Sequence, residues 1–576
     1  MTISSKVATS NKWTELEHNG VAFPPEYVQR GINIKIRGEI LFLNREQEEI
    51  IYAWAKKKDT HYVKDAVFQS NFIDDLKKLF PNRFKSLQKI DEIDMTEAFN
   101  LVDKELKIKE SEKLRIKSLP REEKRRISQE KKLEKEKLKS IYGKAKINGI
   151  EVDVANWLVE PPGIFMGRGL HPLRGRWKPR VTPNDVTLNL GENASVPEGP
   201  WKAIVHDHYS TWLASWIEIL TGKRKYVWLH DSSYLRQDND KAKYDIAKKL
   251  ENYIRAIEKE IINQMLYAKD TTKRKVATVC YLIFKLAMRV GDEKDPDEAD
   301  TIGASTLRVE HLKFPKINDK VQIEFNFLGK DSVPWQKTLE ISSSDTKALY
   351  ENLLFFMKGK GQSDEIFEDI TSTKVNKFLR SIDKDNLPNL TAKVFRTYIA
   401  TAIVKKHLSS PVLKVSKNES EFKKIYVAKI ANLEAAITCN HKKGIDPKNP
   451  ASKKSWEKFE QSLANKKEKI KQLKLDLKEK KWKTELQKLK KEQRIEKLEF
   501  QIRLQQETRD YNLGTSLRNY IDPRVFKSWC EYVDLDWTKI YTSTLQRKFK
   551  WIEQYSKSDL KKYLNVNNTT NKSYEN

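Results

Sequence analysis

The chain of 576 residues carries 110 Lys and Arg against 81 Asp and Glu, a formal net charge of +29. Such an excess indicates a polyanionic partner, because each neutralised phosphate releases condensed counterions. The first residues, MTISSKVATSNKW, contain no apolar signal region, and no run approaches about eighteen apolar residues, which argues against secretion and membrane spanning. The three cysteines are far apart and form no CxxC pair, which argues against a disulfide framework or a structural zinc site.

The length suggests three or four structural units. Residues 12–98 mix short apolar stretches with aromatic and turn residues and are predicted to be globular. The stretch 102–146 is highly charged and interrupted by Pro120, which predicts two solvated helices meeting at the proline; a basic surface of these helices facing a nucleic acid is compatible with this. A basic Gly/Pro-rich loop, PPGIFMGRGLHPLRGRWKPR, and the Trp-rich TWLASW follow within 155–228.

The well-patterned stretch 273–445 begins with a predicted helix that has Arg289 in its last turn, before Gly291. Its apolar positions at helical spacing are Val276, Val279, Ile283, Leu286 and Val290. Alternating apolar residues from Val321 to Ile341 then predict a β-hairpin whose tip is Gly329-Lys330-Asp331-Ser332.

Two further helices in this stretch carry basic residues at their ends. Thr391 is a predicted N-cap, and Lys393 and Arg396 follow in the first turns, where cations are unfavourable unless an anion binds there. Leu433, Ile437 and His441 step at i+4 along one face and place His441 at a helix C-terminus. Each basic residue taken alone is more often structural or on the surface.

From about residue 451 to 510 the composition reduces to Lys, Glu, Gln and Leu. A heptad seam is formed by Trp456, Phe459, Leu463, Ile470, Leu473 and Leu477, and a second run by Trp482, Leu486, Leu489, Ile495, Leu498 and Ile502. Two helices turning near 478–481 would form an antiparallel arm about 40 Å long. The segment GTSLRNYIDPR follows, with Tyr520 between Asn519 and an Asp-Pro turn. For a single tyrosine, a packing role is the commonest alternative.

Several common chemistries lack their motifs. The sequence has no GxxxxGK[ST] loop, HExxH, EF-hand loop or GxSxG elbow. The acidic run DEKDPDEAD at 292–300 could suggest a divalent metal, but its prolines and crowded acids are more typical of a solvated loop.

Seven segments together resemble the eukaryotic type IB DNA topoisomerases in order and approximate spacing. They are EPPGIFMGRGLHP, LAMRVGDEK, EADTIGASTLRVEHL, FNFLGKDS, TAKVFRTY, CNHK and GTSLRNYIDPR. The resemblance runs from about Lys12 to Glu553 and includes the arm before Tyr520. Met166 stands where these enzymes often place an arginine, so one DNA-backbone contact is expected to be missing.

The resemblance implies an α+β multidomain clamp around DNA. We expect a disordered N-terminus (1–11), a mixed N-terminal DNA-binding lobe (12–228) with the charged helices 102–146, and a mostly helical catalytic domain with a β-hairpin (229–446). A long antiparallel coiled-coil linker (447–510), a small helical C-terminal domain (511–562) and a disordered tail (563–576) complete the expectation.

By the resemblance, Tyr520 is the nucleophile, which forms a 3′-phosphotyrosine and frees a 5′ hydroxyl. The pocket around the phosphate is then Arg289, Lys330, Arg396 and His441. Lys330 is the candidate proton donor to the 5′ oxygen, and a helix dipole would favour the charged form of His441. Further DNA contacts are predicted at Arg168, Lys178, Arg180, Lys294, Asp331, Lys393 and Asn519.

The expected activity is ATP-independent relaxation of supercoils, because one phosphodiester replaces another and the bond energy is retained. No cofactor and no divalent metal are expected to be required. The expected partner is double-stranded DNA, bound by a monomer, with no membrane association. The resemblance implies a nuclear enzyme, with a viral or cytoplasmic site of DNA synthesis as the alternative.

Two other functions remain open from the residues. A tyrosine recombinase shares the Arg-Lys-Arg-His-Tyr set, although recombinases act as tetramers on defined sites and lack the long arm. A non-catalytic DNA- or chromatin-binding protein would satisfy the charge and the arm, but does not require the catalytic segments to be intact.

Overall fold

A computed structural model describes residues 11–80, 84, 87–167, 169–291, 302–330, 333–410, 415–443, 450–479 and 484–564. The chain forms two compact units. The first unit comprises residues 1–236 with 295–299, and the second comprises 237–294 with 300–576. The predicted disordered ends lie almost wholly outside the described residues.

The first unit is built from small sheets and a few helices. Its strands are β1 (Leu16–His18), β2 (Asn33–Ile36), β3 (Glu39–Phe42), β4 (Ile93–Asp94), β5 (Lys144–Ile147), β6 (Ile150–Asp153), β7 (Gly163–Ile164), β8 (Trp177–Lys178), β9 (Thr187–Asn189), β10 (Ala203–Val205), β11 (Trp212–Ile217) and β12 (Arg224–Trp228). The sheets have the strand orders β1-β5-β6, β3-β2-β4, β10-β9-β11-β12 and β7-β8, and the pairing is antiparallel except between β9 and β10.

The helices of the first unit differ sharply in burial. They are α1 (Arg45–Ala55), α2 (Ala66–Leu79), α3 (Thr96–Ser118) and α4 (Arg121–Tyr142). Helices α1 and α2 bury aromatic side chains, among them Trp54, Phe68 and Phe72, in the core that they share with β2. Helix α4 buries none of its residues. The predicted break at Pro120 is confirmed, because proline has no N–H to donate and here precedes the first residue of α4.

The second unit is mostly helical. Its helices are α5 (Tyr234–Tyr267, beginning at the end of the first unit), α6 (Thr271–Leu286), α7 (Ser344–Met357), α8 (Ser372–Ile382), α9 (Ala392–Leu408), α10 (Glu421–Thr438), α11 (Pro450–Glu479), α12 (Glu485–Glu507), α13 (Leu513–Asn519), α14 (Pro523–Val533), α15 (Ser543–Lys548) and α16 (Lys557–Leu564). Its strands are β13 (Leu312–Lys313), β14 (Lys316–Ile317), β15 (Lys320–Gly329) and β16 (Val333–Glu340). The predicted α+β class is therefore confirmed.

The β15–β16 hairpin is also confirmed, with Gly329 opposite Val333 at its closed end. Its inward residues Ile323, Phe325, Phe327 and Trp335 join the large core that α6 and α9 also line. This core fixes the hairpin end beside both helices.

Helices α11 and α12 pack antiparallel, since the ion pairs Lys474–Glu499 and Lys491–Asp476 link them in opposite chain order. Leu463, Leu473 and Ile495 are buried between them. Leu486 and Leu489, predicted to continue the apolar seam, are instead 59% and 47% exposed, because they lie at the start of α12, next to the end of the helical pair.

The segment after Tyr520 packs on α9 and α10. Ile521, Val525, Phe526 and Trp529 share one core with side chains of those two helices. Arg524 is fully buried and its guanidinium contacts four polar partners, which are Asp245, Asp522, Tyr555 and Tyr563.

None of the described helices is long and apolar enough to cross a membrane.

Candidate functional site

Helix α9 carries Arg396, a buried arginine of the second unit. The helix begins after Thr391, which has extended backbone, although its hydroxyl makes no capping hydrogen bond. The first turn has no acidic residue and contains Lys393, so the helix N-terminus is a positive region. The guanidinium of Arg396 is buried; its Nη2 donates to the Cys439 carbonyl at 2.9 Å. Its Nε has no hydrogen-bond partner among the described residues.

His441 is not the helix-terminal residue that the i+4 spacing predicts. Helix α10 ends at Thr438, and Asn440 turns the chain with φ +51°. The N–H groups of Asn440 and His441 then bond the Ile437 and Ala436 carbonyls at 3.0 and 2.8 Å, which is a Schellman ending. Ile437 is consequently 40% exposed while His441 is buried.

The charge state predicted for His441 is wrong. Burial, together with the charges of Arg396 and Arg289, lowers the pKa of His441 to about 3. Desolvation and two neighbouring cations outweigh any helix dipole, so the ring is neutral near pH 7. Its Nδ1 is buried without a partner among the described residues, and its Nε2 lies 3.5 Å from Nη2 of Arg396.

Tyr520 lies against both residues. Its ring stacks on the His441 ring at 5.2 Å between centroids and 28° between planes, and the Arg396 guanidinium lies 4.9 Å from the ring centroid. The residue follows the end of α13, where the Ser516 carbonyl accepts from the N–H groups of Tyr520 and Ile521. The phenol oxygen makes no hydrogen bond with any described residue. Tyr520 therefore packs in the core and also contacts both His441 and Arg396.

Arg289 lies beyond helix α6, not in its last turn as predicted. The helix ends at Leu286 and Ala287 takes a left-handed conformation with φ +52°. The Arg289 and Val290 carbonyls accept from the Ala304 and Ser305 N–H groups at 2.8 and 2.6 Å. This unfavourable turn for a non-glycine residue is held by contacts that are remote in sequence.

Close backbone approach secures the same loop. A Cβ on Gly303 would lie 2.3 Å from the Gly291 nitrogen, so the two backbones pass each other at a distance that requires glycine. The segment that carries Arg289 is thereby fixed against the residues that follow 301.

Lys330 follows the last residue of β15 at the hairpin tip and is exposed. A recess of about 40 Å³ lies between the hairpin and the helix ends. It is lined by Lys330, Arg289 and Arg396, together with Met288, Ile302, Gly303, Phe327, Gly329, Val333, Trp335, Cys439 and Asn440. His441 and Tyr520 do not line it; they join the cluster through their contacts with Arg396.

The sequence reading missed Lys337, which connects the segments that carry these residues. Its ammonium donates to the Leu286 carbonyl at 3.2 Å and to the Thr438 carbonyl at 3.4 Å, the last residues of α6 and α10. Burial lowers the pKa of Lys337, and the charge of Arg396 adds to the lowering. The alternation along the strand could have indicated this residue, because Lys337 falls on the same face of β16 as the inward-facing Val333, Trp335 and Leu339.

The cluster can bind an anion with several acceptor oxygens. Leaving a buried N–H unpaired costs about 1–3 kcal/mol, so the free Nε of Arg396 indicates a ligand acceptor. Arg289, Arg396 and Lys330 supply positive charge around one recess, and an arginine fork suits phosphate geometry.

The predicted DNA contacts are spread over both units. Lys178 pairs with Glu160 and Glu218, and Arg180 with Glu49, so both have internal partners. Lys393 is exposed at the start of α9. The Asn519 side chain donates to the Thr515 carbonyl at 3.2 Å. Contact of these four residues with DNA stays a prediction.

Arg168, Lys294 and Asp331 lie outside the described residues, as does the acidic run 292–300. Within the described parts of the chain, no group of three or more His, Cys, Asp or Glu side chains could hold a metal ion.

In a mostly helical unit, a tyrosine packs against a buried arginine and a neutral histidine, and this arrangement has the donors of an anion-binding class of site. Comparison with known protein families identifies the family to which the chain belongs. The eukaryotic DNA topoisomerase I DNA binding fragment matches residues 11–229, the catalytic core matches 232–477, and a C-terminal topoisomerase domain matches 492–562.

Several known proteins are similar in sequence to this chain over most of its length. DNA topoisomerase 1 beta of Arabidopsis thaliana is 36% identical over 565 residues, which are 94% of this chain and 58% of that protein. The Caenorhabditis elegans and human DNA topoisomerase 1 proteins are 34% and 33% identical, and the matches cover 68% and 70% of their lengths. The chain belongs to the eukaryotic DNA topoisomerase I family, and it spans a little over half the length of the Arabidopsis protein.

Proposed function

We propose that this chain is an ATP-independent type IB DNA topoisomerase. It relaxes supercoils by cleaving one strand of a duplex, allowing the free strand to rotate, and rejoining the break. The observation that carries the proposal is the packing of Tyr520 against His441 and Arg396, with the Arg396 Nε buried and unpaired beside it.

The reaction exchanges one phosphodiester for another. The Tyr520 oxygen attacks the phosphorus, the phenol proton passes to solvent water, and the bond from phosphorus to the 5′ oxygen breaks. The 5′ oxygen takes a proton from Lys330, and the 3′ phosphate stays on Tyr520. Religation reverses these steps, so the bond energy is retained and no ATP is consumed.

The phosphate pocket lowers the barrier by stabilising charge on the nonbridging oxygens. Arg289 and Arg396 are permanently charged, and each preorganised donor can contribute about 3–4 kcal/mol to the transition state. His441 contributes one N–H of a neutral ring, since its pKa of about 3 prevents protonation near pH 7. Arg289 and Arg396 supply the positive charge around the phosphate, and on this basis a divalent metal is not required.

The proposed partner is double-stranded DNA, bound by one copy of the chain that closes around it as a clamp. The net charge of +29 supports a polyanionic partner. Helices α11 and α12 would form a coiled-coil arm beside the duplex. We place the activity in the nucleus, as the family relationship suggests.

A relaxation assay on supercoiled plasmid in EDTA, without ATP, tests the proposal. The wild type should relax the plasmid and, after denaturant quenching, leave protein attached to a 3′ end. Tyr520→Phe removes one oxygen and should bind duplex normally while losing both signals. Tyr511→Phe, nine residues away, is the matched control and should retain both.

Persistent covalent complex in Tyr520→Phe would move the nucleophile elsewhere. Binding without relaxation by the wild type would favour the non-catalytic DNA-binding alternative. Exchange of strands between two defined sites would favour a recombinase.

A further inference from the structure

The backbone on both sides of Ile521, the residue that follows Tyr520, is bonded to a single side chain of helix α9. The Asp522 N–H donates to the Thr401 hydroxyl oxygen at 3.1 Å, and that hydroxyl donates to the Tyr520 carbonyl at 3.2 Å. Thr401 therefore uses both its acceptor and its donor on the tyrosine loop. It lies five residues after Arg396 on the same helix.

This use of a helical threonine is not the ordinary one. A threonine inside a helix usually bonds the carbonyl four residues earlier, and Thr397 does this with the Lys393 carbonyl at 3.2 Å. Thr401, one turn later, turns its hydroxyl to a different segment of the chain. Tyr520, Ile521 and Asp522 are all buried there, so loss of the hydroxyl would leave two peptide groups without their partner.

The other bonds to this loop come from elsewhere. Lys243 of α5 donates to the Asn519 carbonyl at 3.2 Å, and the Ser516 carbonyl accepts from the Tyr520 N–H at 2.9 Å. Neither partner belongs to the helix that carries Arg396. Thr401 is thus a direct link from that helix to the peptide of the tyrosine.

We propose that Thr401 is a positioning residue that sets the distance between the Tyr520 phenol and the phosphate held by Arg396. The inference rests on the proposed function, since it assigns Thr401 to the same transesterification. One rigid helix would then position both Arg396, which binds the phosphate, and Tyr520, the nucleophile. A misplacement of about 1 Å can cost about 100-fold in rate, so a modest shift of this loop should be measurable.

The role predicts an asymmetry between the two half-reactions. Before cleavage Tyr520 is not attached to the phosphate, and its position depends on its protein contacts. In the covalent complex the phosphodiester itself holds Tyr520 in place, so the hydroxyl of Thr401 matters less. Cleavage should therefore slow more than religation, and the equilibrium should shift toward intact DNA.

Three variants of the full chain test this. Thr401→Val keeps the shape and removes the hydroxyl, Thr401→Ser keeps the hydroxyl, and Thr397→Val makes the same change where the hydroxyl bonds its own helix. Single-turnover cleavage, religation of isolated covalent complex, duplex Kd and thermal unfolding are measured for each, with wild type and Tyr520→Phe alongside.

We expect Thr401→Val to cleave at least tenfold more slowly, with religation slowed less than threefold and duplex Kd changed less than twofold. Thr401→Ser should stay within threefold of wild type, and Thr397→Val should cleave at the wild-type rate.

Normal cleavage by Thr401→Val, or equal slowing of both half-reactions, overturns the positioning role while leaving the proposed function intact. Failure of the wild type itself to form a covalent complex through Tyr520 would overturn the proposed function and this inference with it. If Thr401→Val unfolds at a lower temperature, its slow cleavage is compared with that of Thr401→Ser, which keeps the hydroxyl. A general loss of folding would slow cleavage and religation alike, whereas loss of positioning would slow cleavage more.

Discussion

Burial beside Arg396 and Arg289 sets the protonation of His441 and makes folding sensitive to acid. The pKa of His441 is lowered from 6.5 to about 3, so below about pH 6.5 the unfolded chain binds a proton that the folded chain does not. Stability from this group is therefore complete above pH 6.5 and declines as the pH falls toward 3.

The comparison of wild type with His441→Gln isolates this effect. Between pH 7 and pH 5 the wild type should lose up to about 2 kcal/mol more of its free energy of unfolding than the variant, since each pKa unit is worth about 1.4 kcal/mol. His18, whose pKa burial lowers to about 4, is present in both proteins and cancels. Denaturant unfolding at the two pH values provides the measurement; equal losses would show that His441 titrates normally in the fold.

In the proposed mechanism, Lys330 differs from the arginines in the atom on which it acts. If it protonates the departing 5′ oxygen, its value depends on how strongly that group needs a proton. A thiol has a pKa near 8.5, far below that of an alcohol, so a substrate with sulfur at the 5′ bridging position needs little acid catalysis.

Lys330→Ala should be slow on normal DNA, by about 100-fold or more, and largely rescued on the thio substrate. Arg289 is proposed to stabilise charge on the nonbridging oxygens, so Arg289→Ala should remain slow on both substrates. Single-turnover cleavage rates give the comparison. Equal impairment of Lys330→Ala on both substrates would make the residue a phosphate or groove contact instead of the acid.

At the scale of elements, the last carbonyls of two helices share one half-buried ammonium, that of Lys337. The last carbonyls of α6 and α10 bear partial negative charge, and Lys337 of β16 donates to both. Arg289 follows the first helix by three residues and His441 follows the second by three. The hairpin that presents Lys330 thereby fixes the two loops that present the arginine and the histidine.

Lys337→Met should lower the free energy of unfolding by about 2–4 kcal/mol, because it leaves helix-end carbonyls without their donor. Cleavage should slow as well, since Arg289 and His441 lose a common support. Lys320→Met is the control on the same hairpin; its pair with Glu340 is exposed and worth about 0–1 kcal/mol. Chemical unfolding and single-turnover cleavage are the measurements, and an unchanged Lys337→Met in both would remove the residue from this role.

The elements show how far sequence patterns reach. Alternation predicts the β15–β16 hairpin, and composition predicts the break at Pro120, because both signals are local. Local sequence does not determine where α6 and α10 end. Ala287 and Asn440 take left-handed conformations, and contacts from residues distant in sequence, such as Ala304 and Pro334, support these turns. Thus Arg289 and His441 are found by family resemblance, but their place outside the helices and the neutral state of His441 require the packed structure.

At the scale of the whole molecule, positive charge is abundant but not equally available. Lys178 forms ion pairs with two glutamates, and Arg176 pairs with Asp74 and Asp75, so part of the excess is used within the first unit. Lys393, by contrast, is exposed at the N-terminus of α9, where the first turn contains no acid. A cation at that end of a helix is unfavourable without a bound anion, so we expect Lys393 to be the better phosphate contact.

The salt dependence of duplex binding measures this difference. If the chain neutralises about 6–10 phosphates, a plot of log Kobs against log salt should have a slope of about −5 to −9. Lys393→Gln should reduce the magnitude of that slope by about 1, because one counterion fewer is released. Lys178→Gln should leave the slope nearly unchanged, since its ammonium already neutralises Glu160 and Glu218. Using Tyr520→Phe as the background prevents cleavage during the titration. A slope that responds to Lys178 and not to Lys393 would mean that DNA displaces the internal ion pairs and that the exposed end of α9 lies away from the duplex.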